Sequence, residues 1–392
     1  MRKIIIALIS IISLNISLFA QNSIEYVLNE IEKNNTTLLA FKQSVEANTL
    51  GNKTGIYLQN PEIEFNYLWG NPSEFGNRTD FSIKQSFDFP TAYGYKSQIS
   101  DIKNEQLALE FQKQRKELRY KARLVCYDLV YIHALTTELS NRISNAESIA
   151  KAYKAKLVAG ETNLLEYNKA ELNLLNLSKQ MESHSIEGEA LLGELTRLNG
   201  GFPIEFSRSE FPDTTIPADF DQWYAQAEQS NPMLSWLKKE LELSQTQVSL
   251  NRAMSLPKFQ TGYMSESIVG QDFKGITVGL SIPLWESKNT VKYAKANAVA
   301  LKSLANDNKT QLYNQLKVLH TKAVALQSNA ADYKTKLQSF NNSELLKKAL
   351  NKGEISLINY MLELSIYYES VKASLELERD MNKALAELNQ YL

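Results

Sequence analysis

The chain carries one pattern twice, and that repetition limits what it can fold into. Phe89-Pro90 ends an alternating, strand-like run, and a long helical pattern leads from there to Gly160-Glu161-Thr162-Asn163-Leu164-Leu165-Glu166-Tyr167. Ile282-Pro283 ends a second alternating run, and a second long helical pattern leads to Gly353-Glu354-Ile355-Ser356-Leu357-Ile358-Asn359-Tyr360. Pro90 and Pro283 are 193 residues apart, and so are Gly160 and Gly353. Asn35 and Asn231, and Pro61 and Pro257, share an offset of 196. The shift from 196 to 193 falls between the two strands of each hairpin, where a turn tolerates a change of length. The sequence therefore reads as a tandem duplication of a helix, hairpin and long-helix unit.

The alternation within each unit defines the strands. Ile63, Phe65, Tyr67 and Trp69 alternate with Glu62, Glu64 and Asn66, and Phe81, Ile83, Phe87 and Phe89 alternate with Ser82, Lys84, Ser86 and Asp88. A period of two with one apolar face is the signature of a half-buried strand. In the second unit Ile276, Val278, Leu280, Ile282 and Leu284 alternate strongly, whereas Pro257–Val269 alternates weakly. These readings give hairpins over 61–90 and 257–285.

The remainder is helical. Only 15 Gly and 9 Pro occur in 392 residues, which favours long uninterrupted helices. Expected helices cover 22–56, 93–158 and 162–198 in the first unit (21–199), and 220–256, 289–350 and 356–391 in the second (220–392). A Pro-containing linker over 200–219 joins them. An irregularity is expected at Asn34-Asn35. A stripe of threes and fours from Leu118 through Ala122, Val125, Leu129, Ile132, Thr136, Leu139, Ile143, Ala146, Ala150 and Tyr153 to Leu157 specifies a coiled-coil seam. The second copy carries its own stripe from Leu312 to Phe340, one residue out of register and out of phase before Leu346.

Residues 1–20 have the form of a secretory signal peptide: Arg2-Lys3, an apolar run from Ile4 to Phe19, and small residues before Gln21. Beyond it no stretch of eighteen apolar residues occurs, so a transmembrane helix is not expected. The charge balance of 43 basic and 44 acidic residues gives no field for nucleic acid. His133, His184 and His320 lie far apart in helical patterns, which excludes a metal cluster or a His-based triad, and no phosphate-binding loop is present. Neither catalytic residues nor a cofactor are expected. Glu62 and Glu64 repel each other and suit a wet lumen better than an acid/base pair. The single Cys126 reads as a small buried side chain.

Four amphipathic strands can bury their apolar faces against each other or against lipid. A sheet that spans a membrane must close, and about eight strands are needed to do so. One chain with four strands would have to oligomerise.

The signal peptide, the duplication, the Val278-Gly279-Leu280-Ser281-Ile282-Pro283-Leu284-Trp285 run and the paired turns at Gly160 and Gly353 together resemble the TolC-type outer-membrane efflux proteins, in particular their cation and drug efflux branch. The likeness covers essentially the whole mature chain. It implies a mainly α fold with a small antiparallel β part, in which three chains each contribute four strands to one transmembrane β-barrel and their helices continue as an α-barrel across the periplasm. It implies a passive outer-membrane channel working with a periplasmic adaptor and an inner-membrane pump. On this likeness Gly160, Leu164, Gly353 and Leu357 match the positions that dock the adaptor. The same glycines also serve as helix terminators, and the leucines as local packing residues. Glu161 and Glu354 would form a ring of carboxylates around a trimeric opening, although glutamate is favoured at a helix start for its own sake. Tyr167 and Tyr360 read as packing residues. The lipid-facing set would be Ile63, Phe65, Tyr67, Trp69, Phe81, Ile83, Phe87, Ile276, Val278, Leu280 and Ile282. A type I protein-secretion conduit would share this architecture, and a secreted coiled-coil scaffold or adhesin would explain the heptads but not the duplicated strands.

Overall fold

Ser23 accepts a hydrogen bond from the backbone N–H of Tyr26, and helix α1 (Ile24–Asn34) follows. The computed structural model describes residues 23–391, so the expected signal peptide lies outside the described residues. The anticipated 22–56 helix is two helices, α1 and α2 (Thr36–Gly51). Asn35 separates them: its Oδ1 accepts from the N–H of Leu38 at 2.8 Å and its Nδ2 donates to the carbonyl of Leu198 at 2.7 Å. An asparagine that satisfies the next helix's free N–H groups stops one helix and starts another. The second copy repeats the device. Asn231 caps α6 (Pro232–Ala253) after α5 (Phe220–Ser230), accepting from Met233 and Leu234.

Strands β1 (Glu62–Leu68) and β2 (Arg78–Phe87) lead into α3 (Thr91–Val158), a single helix of 68 residues. Helix α4 (Leu164–Leu198) returns from it. Strands β3 (Lys258–Ile268) and β4 (Gln271–Ser281) precede α7 (Thr290–Ser339), α8 (Ser343–Lys352) and α9 (Leu357–Leu388). The expected 289–350 helix is thus interrupted. Asn341 Oδ1 accepts from both the backbone N–H and the hydroxyl of Ser343, at 3.2 and 2.6 Å, and this local bonding competes with the helical ladder.

The described chain forms two compact units. One comprises residues 41–113 and 228–312 and holds the whole sheet. Its strands run β1-β2-β3-β4, each antiparallel to its neighbour. β2 and β3, which come from different copies of the repeat, pair over ten rungs from Arg78↔Ile268 to Phe87↔Phe259. Beneath the strands Phe41 stacks on Phe111, and Trp236 donates its indole N–H to Glu110 at 3.1 Å.

The other unit comprises residues 23–40, 114–227 and 313–391 and is helical. The coiled-coil stripe is its core: Ala122, Leu129, Ile132, Leu139, Ala146 and Ala150 are all buried. Val27, Leu28 and Ile31 of α1 pack on Cys126, Leu129 and Val130 of α3, with Leu195 of α4. Trp223 and Tyr224 of α5 pack on Leu319 and Ala323 of α7 and Leu385 of α9. The 200–219 linker is strapped to this core. His133 and His320 each place a ring nitrogen on a linker carbonyl, those of Arg208 at 3.1 Å and Pro217 at 2.7 Å, while Phe206 is buried.

Gly200 sits where a side chain would collide. Its φ is +69°, and a Cβ there would lie 2.3 Å from the carbonyl oxygen of Asn34. Replacing Leu129 by Ala should lower the unfolding free energy by about 2–5 kcal/mol, because the side chain is fully enclosed. Asn35→Ala should cost about 1–3 kcal/mol through a lost cap and an orphaned Leu198 carbonyl. Urea denaturation followed by circular dichroism measures both.

Candidate channel wall and helical turns

The strand register sorts the sheet into two chemically different faces. Opposed residues share a face, so Ile63, Phe65 and Tyr67 lie with Phe81 and Ile83, and these with Tyr263, Phe259, Ile276, Val278 and Leu280. Phe87 joins them through Phe259, with ring centroids 5.9 Å apart. Among the described residues nothing covers this face: Ile276 is 82 % and Val278 79 % exposed. The opposite face carries Glu62, Glu64, Asp80, Ser82, Lys84, Gln260, Glu266 and Thr277. Both outer edges, β1 and β4, lack a strand partner among the described residues.

Two expected strand residues fall outside the strands. Trp69 follows the last residue of β1, and Ile282 follows the last residue of β4. The pairing stops at Lys258↔Ser281 because the next position on β3's side is Pro257, which has no N–H to donate, and Pro283 closes β4 in the same way. Both side chains remain exposed, at the two ends of the apolar face. β4 also starts earlier than its alternation suggested. Its turn is only Val269-Gly270, both at positive φ, and β1 and β2 are joined by the wider 69–77 loop.

The two helical turns are built alike. At the end of α3 the N–H of Glu161 bonds the carbonyl of Lys156 and that of Gly160 bonds Leu157. At the end of α8 Glu354 bonds Ala349 and Gly353 bonds Leu350. Gly160 and Gly353 have φ of +74° and +71° with open space where a Cβ would be, so the left-handed backbone alone demands glycine. Asn163 and Ser356 then cap α4 and α9.

Beyond the turns the copies diverge. Leu164 is 58 % exposed, but Leu357 is 1 % exposed. It packs with Ala150, Ala170, Leu350, Tyr360 and Leu364 in a local core. Leu357 therefore presents no side chain to a partner; Ile358 beside it is exposed instead. Glu161 and Glu354 are both exposed, and Lys352 lies 3.9 Å from Glu354. Tyr360 is buried and its hydroxyl accepts from Asn145 Nδ2 at 2.6 Å, a packing role. Tyr167 is half-buried.

Sequence reasoning missed a cluster above these turns. The Arg142 guanidinium of α3 lies 3.6 Å from the centre of the Tyr368 ring of α9, and its Nε is 3.6 Å from Glu138. Burial holds the Arg142 pKa below its ordinary value and pushes the Tyr368 hydroxyl up to about 12. An arginine and a tyrosine 226 residues apart give no joint signal in a single sequence.

A sheet with one uncovered apolar face, one polar face and two open edges, together with long helices that turn at paired glycines, is the fold of the TolC-type outer-membrane channel proteins. Among solved structures the chain is similar to the Campylobacter jejuni CmeC outer membrane channel, with a TM-score of 0.75 and 14 % identity over 94 % of this chain and 85 % of that one. It is similar to the outer membrane protein VceC of Vibrio cholerae, with a TM-score of 0.70 and 12 % identity over 94 % of each chain. The Neisseria gonorrhoeae MtrE outer membrane channel, solved in an open state, matches with a TM-score of 0.71 and 12 % identity over 94 % of this chain and 88 % of that one. At such identities the likeness is one of fold. No family model matches the sequence, and no curated protein matches it.

Cys126 supplies a check on this packing. Burial raises its pKa from 9.0 to about 12. Native protein at pH 8 should resist thiol reagents that label it promptly in urea. Because the unfolded thiol loses its proton first, stability should fall as the pH climbs from about 9 towards 12. Leu357→Ala should destabilise by about 2–5 kcal/mol while Leu164→Ala stays within about 0.5 kcal/mol, measured by urea denaturation.

Proposed function

We propose that the protein is the outer-membrane channel of a tripartite efflux system. It conducts metal cations or drugs passively to the exterior from a periplasmic adaptor and an inner-membrane pump. The observation that carries this reading is the two-faced, open-edged sheet. An apolar face of that extent requires an apolar solvent, and hydrocarbon is the one in which its alternating partner face becomes the wall of an aqueous pore. Open strand edges in lipid are too costly to leave unpaired, so β4 of one copy pairs with β1 of the next until the sheet closes. By the resemblance to the TolC-type proteins, three copies supply twelve strands and the working form is a homotrimer.

The helical turns are the partner-facing end. Gly160 and Gly353 make the reversals tight, and Leu164 with Ile358 offers exposed apolar anchors to an adaptor. Glu161 contributes an unpaired carboxylate to a trimeric ring there, and Glu354, beside Lys352, contributes a weaker field. Energy for transport comes from the pump; the channel performs no bond chemistry.

Cell membranes washed with carbonate should retain the protein, and detergent should release it as a trimer that forms ion-conducting pores in planar lipid bilayers. Release by carbonate as a soluble monomer would overturn the reading. Ile276→Arg should weaken assembly by about 2–4 kcal/mol, seen as loss of trimer at a lower denaturant concentration, because it sets a charge in hydrocarbon.

A further inference from the structure

The polar face of the sheet has an unusual charge arrangement. Its bases are Arg78 and Lys84 on β2 and Lys258 at the start of β3. Its acids at the same levels are Glu62, Glu64, Asp80 and Glu266. Lys84 Nζ lies 3.1 Å from Glu64 across the β1–β2 rungs. Arg78 reaches Asp80 on its own strand at 2.8 Å and Glu266 on β3 at 3.2 Å. The same face of β4 presents Gln271, Phe273, Gly275, Thr277, Gly279 and Ser281, with no charge at all. Thus Arg78 and Lys84 sit in contact with acids of this face, while Lys258 pairs with Glu286 beyond the end of β4 at 3.2 Å.

We infer that Arg78 and Lys84 offset most of the acidic charge of the sheet-lined part of the pore, so that it admits charged solutes of either sign. This rests on the channel reading above and extends it to the class of cargo. A ring of unpaired carboxylates would act over roughly a Debye length, about 10 Å in 0.1 M salt, and would sort ions by sign. A carboxylate paired at contact with a base presents only a dipole, whose field dies away faster. Removing the base leaves the acid in place, and threefold symmetry then repeats the unbalanced charge at one level of the pore. Lys84 and Arg78 are therefore specificity-determining: without them the wall becomes a cation filter.

The test is the potassium-to-chloride permeability ratio, read from the reversal potential of purified full-length protein in planar bilayers under a salt gradient. Glu161→Gln with Glu354→Gln is the common background, so that the helical turns do not dominate the reading. Detergent-solubilised oligomer size checks assembly for every variant. In that background the ratio should lie within about threefold of unity, and Lys84→Gln should raise it by at least about threefold. Glu64→Gln should shift it the opposite way. Glu64→Lys combined with Lys84→Glu keeps the pair with its signs exchanged and should restore the starting ratio. A conducting background protein with strong ion preference, or a Lys84→Gln ratio equal to the background, would overturn this inference alone. No conductance from assembled wild-type protein would overturn the channel reading and this inference with it.

Discussion

The structure depends on backbone hydrogen bonds that one chain cannot complete. β1 and β4 each turn a row of N–H and C=O groups outward, with no strand to receive them. In water such an edge is a liability; in hydrocarbon each unpaired group costs several kcal/mol. The apolar face compounds the constraint. Ile276 and Val278 are bare on β4, and the helices of the same unit leave that face uncovered. The edges call for further strands, and the face calls for an apolar neighbour.

The helical part answers a different demand. A helix of 68 residues cannot be held by intrinsic propensity, and its stability comes from the seam that it buries. Small residues at Ala122, Ala146 and Ala150 let neighbouring helices approach closely, while Leu129, Ile132 and Leu139 fill the layers between them. The shorter helices break at asparagines, whose side chains replace ladder bonds rather than leaving them open. Asn35 does this while also holding the carbonyl of Leu198, so the break is itself a joint between α1 and the end of α4.

Most of this architecture was legible in the sequence because it is written in periods. The two-residue period gave the strands, the three-four period gave the seam, and the shared offset gave the turns at Gly160 and Gly353. What escaped was whatever depends on one side chain's neighbours. The offset makes Leu164 and Leu357 equivalents, yet one is exposed and the other is core, because Leu350 and Tyr360 close over the second. The break at 340–342 arises from Asn341 bonding Ser343, a local competition that heptad counting registers only as lost phase. β4 was read too long because alternation continued through Ile282 although the facing residue is Pro257, and β1 was read one residue too long because alternation continued through Trp69 into the loop. The stacking of Arg142 on Tyr368 joins helices from opposite ends of the chain and leaves no trace in either segment alone.

The ten-rung seam between β2 and β3 has a consequence for how the oligomer comes together. A chain of one repeat would bring a single hairpin, and twice as many molecules would have to meet before the last edge was sealed. Covalent fusion turns every second intermolecular encounter into an intramolecular one, with the effective concentration set by the linker rather than by expression level. In the proposed twelve-stranded closure, assembly order drops from six bodies to three, and fewer half-closed species accumulate with raw edges available for misassociation. The duplicated gene thus carries a kinetic advantage independent of anything the finished conduit transports.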